Sequence, residues 1–189
     1  MTEYIRRIEH QVWCYWGVRA ATPRKLAPRF LDTIDQLRRV DPLLDGWVWS
    51  NVEESFESEG EYGRTPLIEV RPWMVEAIEE NMRREDDTTD PDPSLGYAMP
   101  VSIETKPDGP FTSVAVYDGD SWPCKSFAAN SAEFSITDDN YKENPLVSFP
   151  TFKAAMLILA ETWEATWAKA FPNDMVQKTD WDGMKPGWG

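Results

Sequence analysis

Side chains able to do chemistry at neutral pH are scarce in this sequence. It holds one histidine, His10, and two cysteines, Cys14 and Cys124. A hydrolase or transferase needs a nucleophile with a base, a metal, or a poised pair of carboxylates. His10 and Cys14 sit in an alternating apolar and aromatic segment, with no Gly-x-Ser-x-Gly or Cys-His context around them. Nothing near Cys14 in the chain would lower its pKa. One histidine and two distant cysteines do not make a zinc spacing, and no Cys-x-x-Cys occurs. Neither a Walker loop nor a Gly-x-Gly-x-x-Gly is present to cradle phosphate. The acidic stretch at 86–92 lacks the glycine and terminal glutamate of a calcium loop. Asp118 with Asp120, or Asp138 with Asp139, could serve as acid and base, but 33 acidic residues produce such pairs by chance. The expectation is a chain with no enzyme activity, no metal and no cofactor. Its cysteines read as reduced, semi-buried thiols of a cytoplasmic protein.

Charge says more than catalysis. The 189 residues carry 33 acidic and 19 basic side chains, a net charge of -14. That field disfavours nucleic acid and anionic membrane, and suits a basic protein partner. The charge is uneven: +4 over residues 1–40, -12 over 41–96 and -6 over 97–189. Glu53, Glu54, Glu57, Glu59 and Glu61 form one acidic run, and Asp86 and Asp87 belong to a second. Such runs read either as solvated loops or as a landing surface for a basic partner.

The elements that must position these residues follow from periodicity. With 41% apolar residues and ten Trp, six Tyr and eight Phe, the chain has the means to fold as one domain over residues 1–189. Alternation over residues 4–16 predicts an opening strand ended by Gly17. Thr22-Pro23 predicts a capped helix start. Leu26, Phe30, Ile34 and Leu37 then line one helical face to about Val40. Pro28 implies a kink or a later start, and Asp41-Pro42 a stop. Residues 67–70 read as a short strand. Pro72 opens a second helix, with Met74, Ala77, Ile78 and Met82 on one face. Residues 97–105 and 111–118 read as a hairpin about Pro-Asp-Gly, and 132–137 as another strand. Phe152, Met156, Leu159, Trp163 and Trp167 predict a last helix of about five turns, capped by Ser148 or Thr151 and ended by Pro172. No apolar leader opens the sequence and no stretch reaches a membrane span. The fold class expected is α+β, an antiparallel sheet packed against about three helices. Nothing in the pattern fixes an oligomeric state.

One stretch is more specific. Tyr15-Trp16-Gly17-Val18-Arg19, then a helix with Phe30-Leu31, then Asp41-Pro42 and Trp47, resembles the opening of the immunity protein 52 family of bacterial polymorphic toxin systems. Trp163, Trp167 and the Gly187-Trp188 pair look similar to it as well. The resemblance implies a non-enzymatic toxin inhibitor of bacterial competition. Such a protein binds a cognate toxin, often a nuclease of restriction-endonuclease fold, in a stoichiometric complex. A nuclease site that attracts polyphosphate is basic, so acidic Glu53, Glu54, Glu57, Glu59, Glu61, Asp86 and Asp87 are the expected contacts. Arg19 reads either as structural, stacked on Trp16 or paired with a buried carboxylate, or as a toxin contact. Two other classes compete: an adaptor or chaperone for a secreted effector, and a small enzyme with a carboxylate site.

Overall fold

A computed structural model describes residues 9–50, 64–83, 91–104, 111–119, 130–137 and 144–172. Alternating apolar residues build four of its seven strands, β1 (Glu9–Trp16), β4 (Tyr97–Glu104), β5 (Phe111–Asp118) and β6 (Asn130–Thr137), and the largely exposed β7 (Trp167–Pro172) pairs beyond β1. The short β2 (Val48–Ser50) and β3 (Arg64–Pro66) complete one sheet, ordered β3-β2-β4-β5-β6-β1-β7. Every neighbouring pair is antiparallel. The expected hairpin is β4 with β5, in register from Tyr97 opposite Asp118 to Glu104 opposite Phe111.

Helices cover one face. They are α1 (Pro23–Val40), α2 (Leu67–Val70), α3 (Met74–Glu80) and α4 (Phe149–Thr162), with a 3-10 turn at Arg71–Trp73 joining α2 to α3. Leu26, Phe30, Ile34 and Leu37 of α1 are buried, as their spacing predicts. They meet alternate strand residues such as Val12, Val114, Val116 and Phe134 in one core. Aromatic contacts fix the packing: Trp16 stacks on Trp163 at 5.7 Å, and Phe30 meets Trp49 edge-on at 5.8 Å. Each such side chain contributes about 1.5–3 kcal/mol by leaving water. The α+β antiparallel architecture with three helical regions is thus present. Among the described residues, no helix is long and apolar enough to cross a membrane.

Four local expectations are corrected. The helix starts at Pro23 and runs through Pro28, which faces solvent. Only the one bond that its missing N–H would have made is lost there. The Thr22 side chain makes no capping bond; its carbonyl instead accepts from Lys25 and Leu26 N–H, at 2.8 and 3.0 Å. Residues 67–70 are helical, and the strand lies one step earlier at Arg64–Pro66. Finally, α4 ends at Thr162, and Trp167, read as part of its apolar stripe, opens β7 with 45% of its surface exposed. Ser148 does cap α4, its side chain accepting from Thr151 N–H at 3.3 Å.

Candidate functional site

The Tyr15-Trp16-Gly17-x-Arg19 motif lies where β1 ends, and the two faces of the sheet use it differently. On the helical face Trp16 is buried and donates from Nε1 to Asp118 Oδ1 at 3.1 Å. Arg19 donates to both Asp118 oxygens, at 2.5 and 3.4 Å, and lies over the Trp16 ring at 5.1 Å. It also donates to the Trp163 carbonyl at 3.2 Å and to Glu164 at 3.3 Å. Arg29 reaches the same Glu164 oxygen at 3.1 Å. The Asp118 side chain is 0% exposed and accepts a further bond from Gly119 N–H at 2.8 Å. Asn130 ties the Gly17 carbonyl down at 2.8 Å. Three chain segments are therefore clamped together: the end of β1, the end of β5 and the end of α4. Of the two readings of Arg19, this geometry is the structural one, with both stacking and pairing present. Asp118 meets three donors on Oδ1 and one on Oδ2, which commits it to the clamp.

Trp47 is likewise internal. It is buried, and its Nε1 donates to the Leu44 carbonyl at 2.9 Å. Cys14 lies in the core, where burial pushes its thiol up to about 12. A thiol so protonated is no nucleophile. Cys124 is outside the described residues, as are Asp120, Asp138 and Asp139. His10 lines an open, mostly apolar groove of about 240 Å³ with Val147, Phe149, Phe152 and Phe171. No cluster of His, Cys, Asp or Glu among the described residues could hold a metal ion.

The other face of the sheet carries the strongest candidate surface. Register puts Lys169, Trp13, Glu133 and Ala115 in one row across β7, β1, β6 and β5. The next rows hold Trp167, Tyr15, Ser131 and Tyr117 on one side, and Phe171, Gln11, Ser135 and Ser113 on the other. Tyr15 stacks on Trp167 at 4.6 Å, and Trp13 meets Phe171 edge-on at 5.0 Å. The Lys169 ammonium sits 4.6 Å from the Trp13 ring and 4.4 Å from that of Phe171. Gln11 Nε2 donates to Glu133 Oε1 at 3.0 Å. Burial raises the Glu133 carboxyl above its ordinary range, against an opposing pull from the Trp13 indole, and the Glu9 charge adds a smaller push upward. Burial and then the Glu133 charge push the Tyr15 hydroxyl up to about 12. Tyr117 is raised by the same two causes, against a smaller opposing pull from Arg83. Sequence reasoning missed Glu133, Gln11 and Lys169. Strand alternation could have placed Gln11 and Trp13 on one face, but not beside Glu133.

The acidic candidates Glu53, Glu54, Glu57, Glu59, Glu61, Asp86 and Asp87 lie outside the described residues. The described part of their segment is nevertheless acidic: Glu69, Glu76, Glu79 and Glu80 all face solvent on α2 and α3. No family model matches the sequence, and no curated protein matches it.

Proposed function

We propose that this chain is an immunity protein that neutralises a basic toxin, in the manner of a nuclease inhibitor, by forming a stoichiometric complex without turnover. The observation that carries the reading is the segregated charge: -12 over residues 41–96 against +4 over residues 1–40. A one-sign surface of this kind steers a basic partner into encounter and competes with polyphosphate for it. The exposed glutamates of α2 and α3 agree with that field. The resemblance of Tyr15, Trp16, Gly17, Arg19 and Trp47 to the immunity protein 52 opening supports it too. In this reading those motif residues hold the fold, and the acidic segments meet the toxin.

The test is co-expression with the toxin encoded beside this chain's gene. Growth should be restored, and the two proteins should co-purify one to one. Reversing Glu53, Glu54, Glu57 and Glu59 to Lys should slow association about tenfold or more at low salt and far less at high salt. A neighbouring gene that encodes no toxin, or a toxin that still kills in the presence of this chain, overturns the proposal. An intact complex whose toxin retains full activity would instead mark an adaptor.

A further inference from the structure

The face of the sheet opposite the helices is built as an acceptor site with aromatic walls. Its floor is small: Ser131 of β6 lies between Tyr15 on β1 and Tyr117 on β5, and Ala115 on β5 stands beside Glu133. Glu133 stands on that floor, half-buried, and no cation among the described residues lies within ion-pair distance of it. Gln11, only 5% exposed, spends its N–H on Glu133; its Oε1 and, in the neighbouring row, the donor Nε1 of Trp13 are both left buried without a hydrogen-bond partner. A buried acceptor without a donor is a costly arrangement that native proteins rarely keep without a use. Two adjacent acceptors, one of them anionic, ask for a planar group with several N–H donors. Tyr117 (37% exposed), whose ring also carries the Arg83 guanidinium at 5.7 Å, and Trp167 (45% exposed), stacked on Tyr15, offer apolar surface beside them.

We propose that this face receives an arginine side chain of a basic protein partner, its guanidinium donating to Glu133 and to Gln11 Oε1 between the rings of Trp13, Tyr15 and Tyr117. Guanidinium is the cation that can bridge two acceptors in one plane and stack on a ring at once. An ammonium has three donors but no planar fork to match two acceptors while stacking face to face on a ring, and Lys169 already places one over Trp13 and Phe171 at the rim. The net charge of -14 favours a protein-borne cation over phosphate-bearing nucleic acid. The inference rests on the proposed basic partner, and it gives that partner an anchor on the sheet face in addition to its encounter with the acidic segments.

The probes are nine-residue peptides of arginine, lysine and citrulline, titrated against the full chain with tryptophan fluorescence as the readout. The arginine peptide should bind and perturb the fluorescence, the lysine peptide about tenfold more weakly, and the neutral citrulline peptide not at all. Glu133→Gln should weaken the arginine peptide about tenfold, while Glu161→Gln on α4, which removes the same charge at an exposed position outside the acidic segments, should change it less than about twofold. Lys169→Gln should strengthen it by freeing the ring faces. Equal losses for Glu133→Gln and Glu161→Gln would mean diffuse attraction and overturn the proposal. Equal binding of the lysine peptide would overturn the guanidinium assignment. A dimer of this chain that Glu133→Gln dissociates would give the face to a second copy. These outcomes separate from the toxin assay: rescue without peptide binding moves the toxin contact elsewhere, and peptide binding without rescue leaves a cation-receiving surface on a protein of another function.

Discussion

Asp118 can be buried because both of its oxygens meet donors from Trp16, Arg19 and Gly119. Removing Arg19 strands that charge in the core, and a buried pair broken from one side costs about 3–5 kcal/mol. Arg19 is 26% exposed, so the lower end applies. Arg19→Met should lower the unfolding free energy by about 3 kcal/mol in urea titration, with Asp118→Asn recovering part of the loss in the double variant. Glu133 behaves in the opposite sense. Its folded-state pKa lies above its ordinary value. Its ionised form is therefore penalised in the folded state, fully above that raised pKa and not at all below the unfolded value. Glu133→Gln should thus raise the urea midpoint at pH 7 and leave it nearly unchanged at pH 4. A gain of equal size at both pH values would show that burial of the charge is not the cause. Part of this chemistry is legible from the chain alone: an arginine two residues after Gly17 and close to aromatics suggests stacking and pairing. Its carboxylate partner is not, because Asp118 lies 99 residues away. Spacing in sequence says nothing of which strands become neighbours.

The end of α4 shows why element boundaries resist a reading by pattern. The apolar stripe continues from Trp163 to Trp167, and neither glycine nor asparagine marks a stop. The chain stops nonetheless. Glu164 takes the left-handed conformation with φ 51°, and Ala165 N–H bonds back to the Ala160 carbonyl at 2.9 Å. That is a Schellman closure made without its usual glycine. The conformation is held from outside the helix, by Arg19 and Arg29 on the Glu164 carboxylate. Thr166 N–H then bonds the Tyr15 carbonyl at 2.8 Å and starts β7. The signal for the turn is therefore tertiary. The β4–β5 hairpin is the contrary case, since its alternation and its Pro-Asp-Gly lie within one continuous stretch. Gly119 closes the other end of that hairpin at φ +93°, and a Cβ there would meet the Tyr97 ring at 3.1 Å. Gly119→Ala should cost about 1–2 kcal/mol by thermal unfolding, from left-handed strain with added crowding. A change within a few tenths of a kcal/mol would show that the turn relaxes freely.

Across the whole molecule, structure and charge occupy different parts of the chain. The clamp of Trp16, Arg19, Asp118 and Glu164 is internal, while the glutamates of α2 and α3 are solvent-facing. Reversing Glu76, Glu79 and Glu80 to Lys should therefore leave the melting temperature within about 2 °C but slow association with a basic partner several-fold at low salt. Stopped-flow rates across an ionic-strength series would check this; a rate independent of salt in both forms would exclude steering. The fold class was readable from composition and alternation. The sheet order was not, because β1 pairs on one side with β6 and on the other with β7, both far along the chain. That order has a consequence for biosynthesis. β4, β5 and β6 can zip as a local meander soon after they are made, whereas β1, made before the other six strands, has to wait for β7 before both its edges are paired. Until then Val12, Cys14 and Trp16 have no core to enter, and the nascent chain carries an apolar ribbon through most of its synthesis. Long-range pairing of this kind slows folding and exposes the intermediate to chaperones and to aggregation.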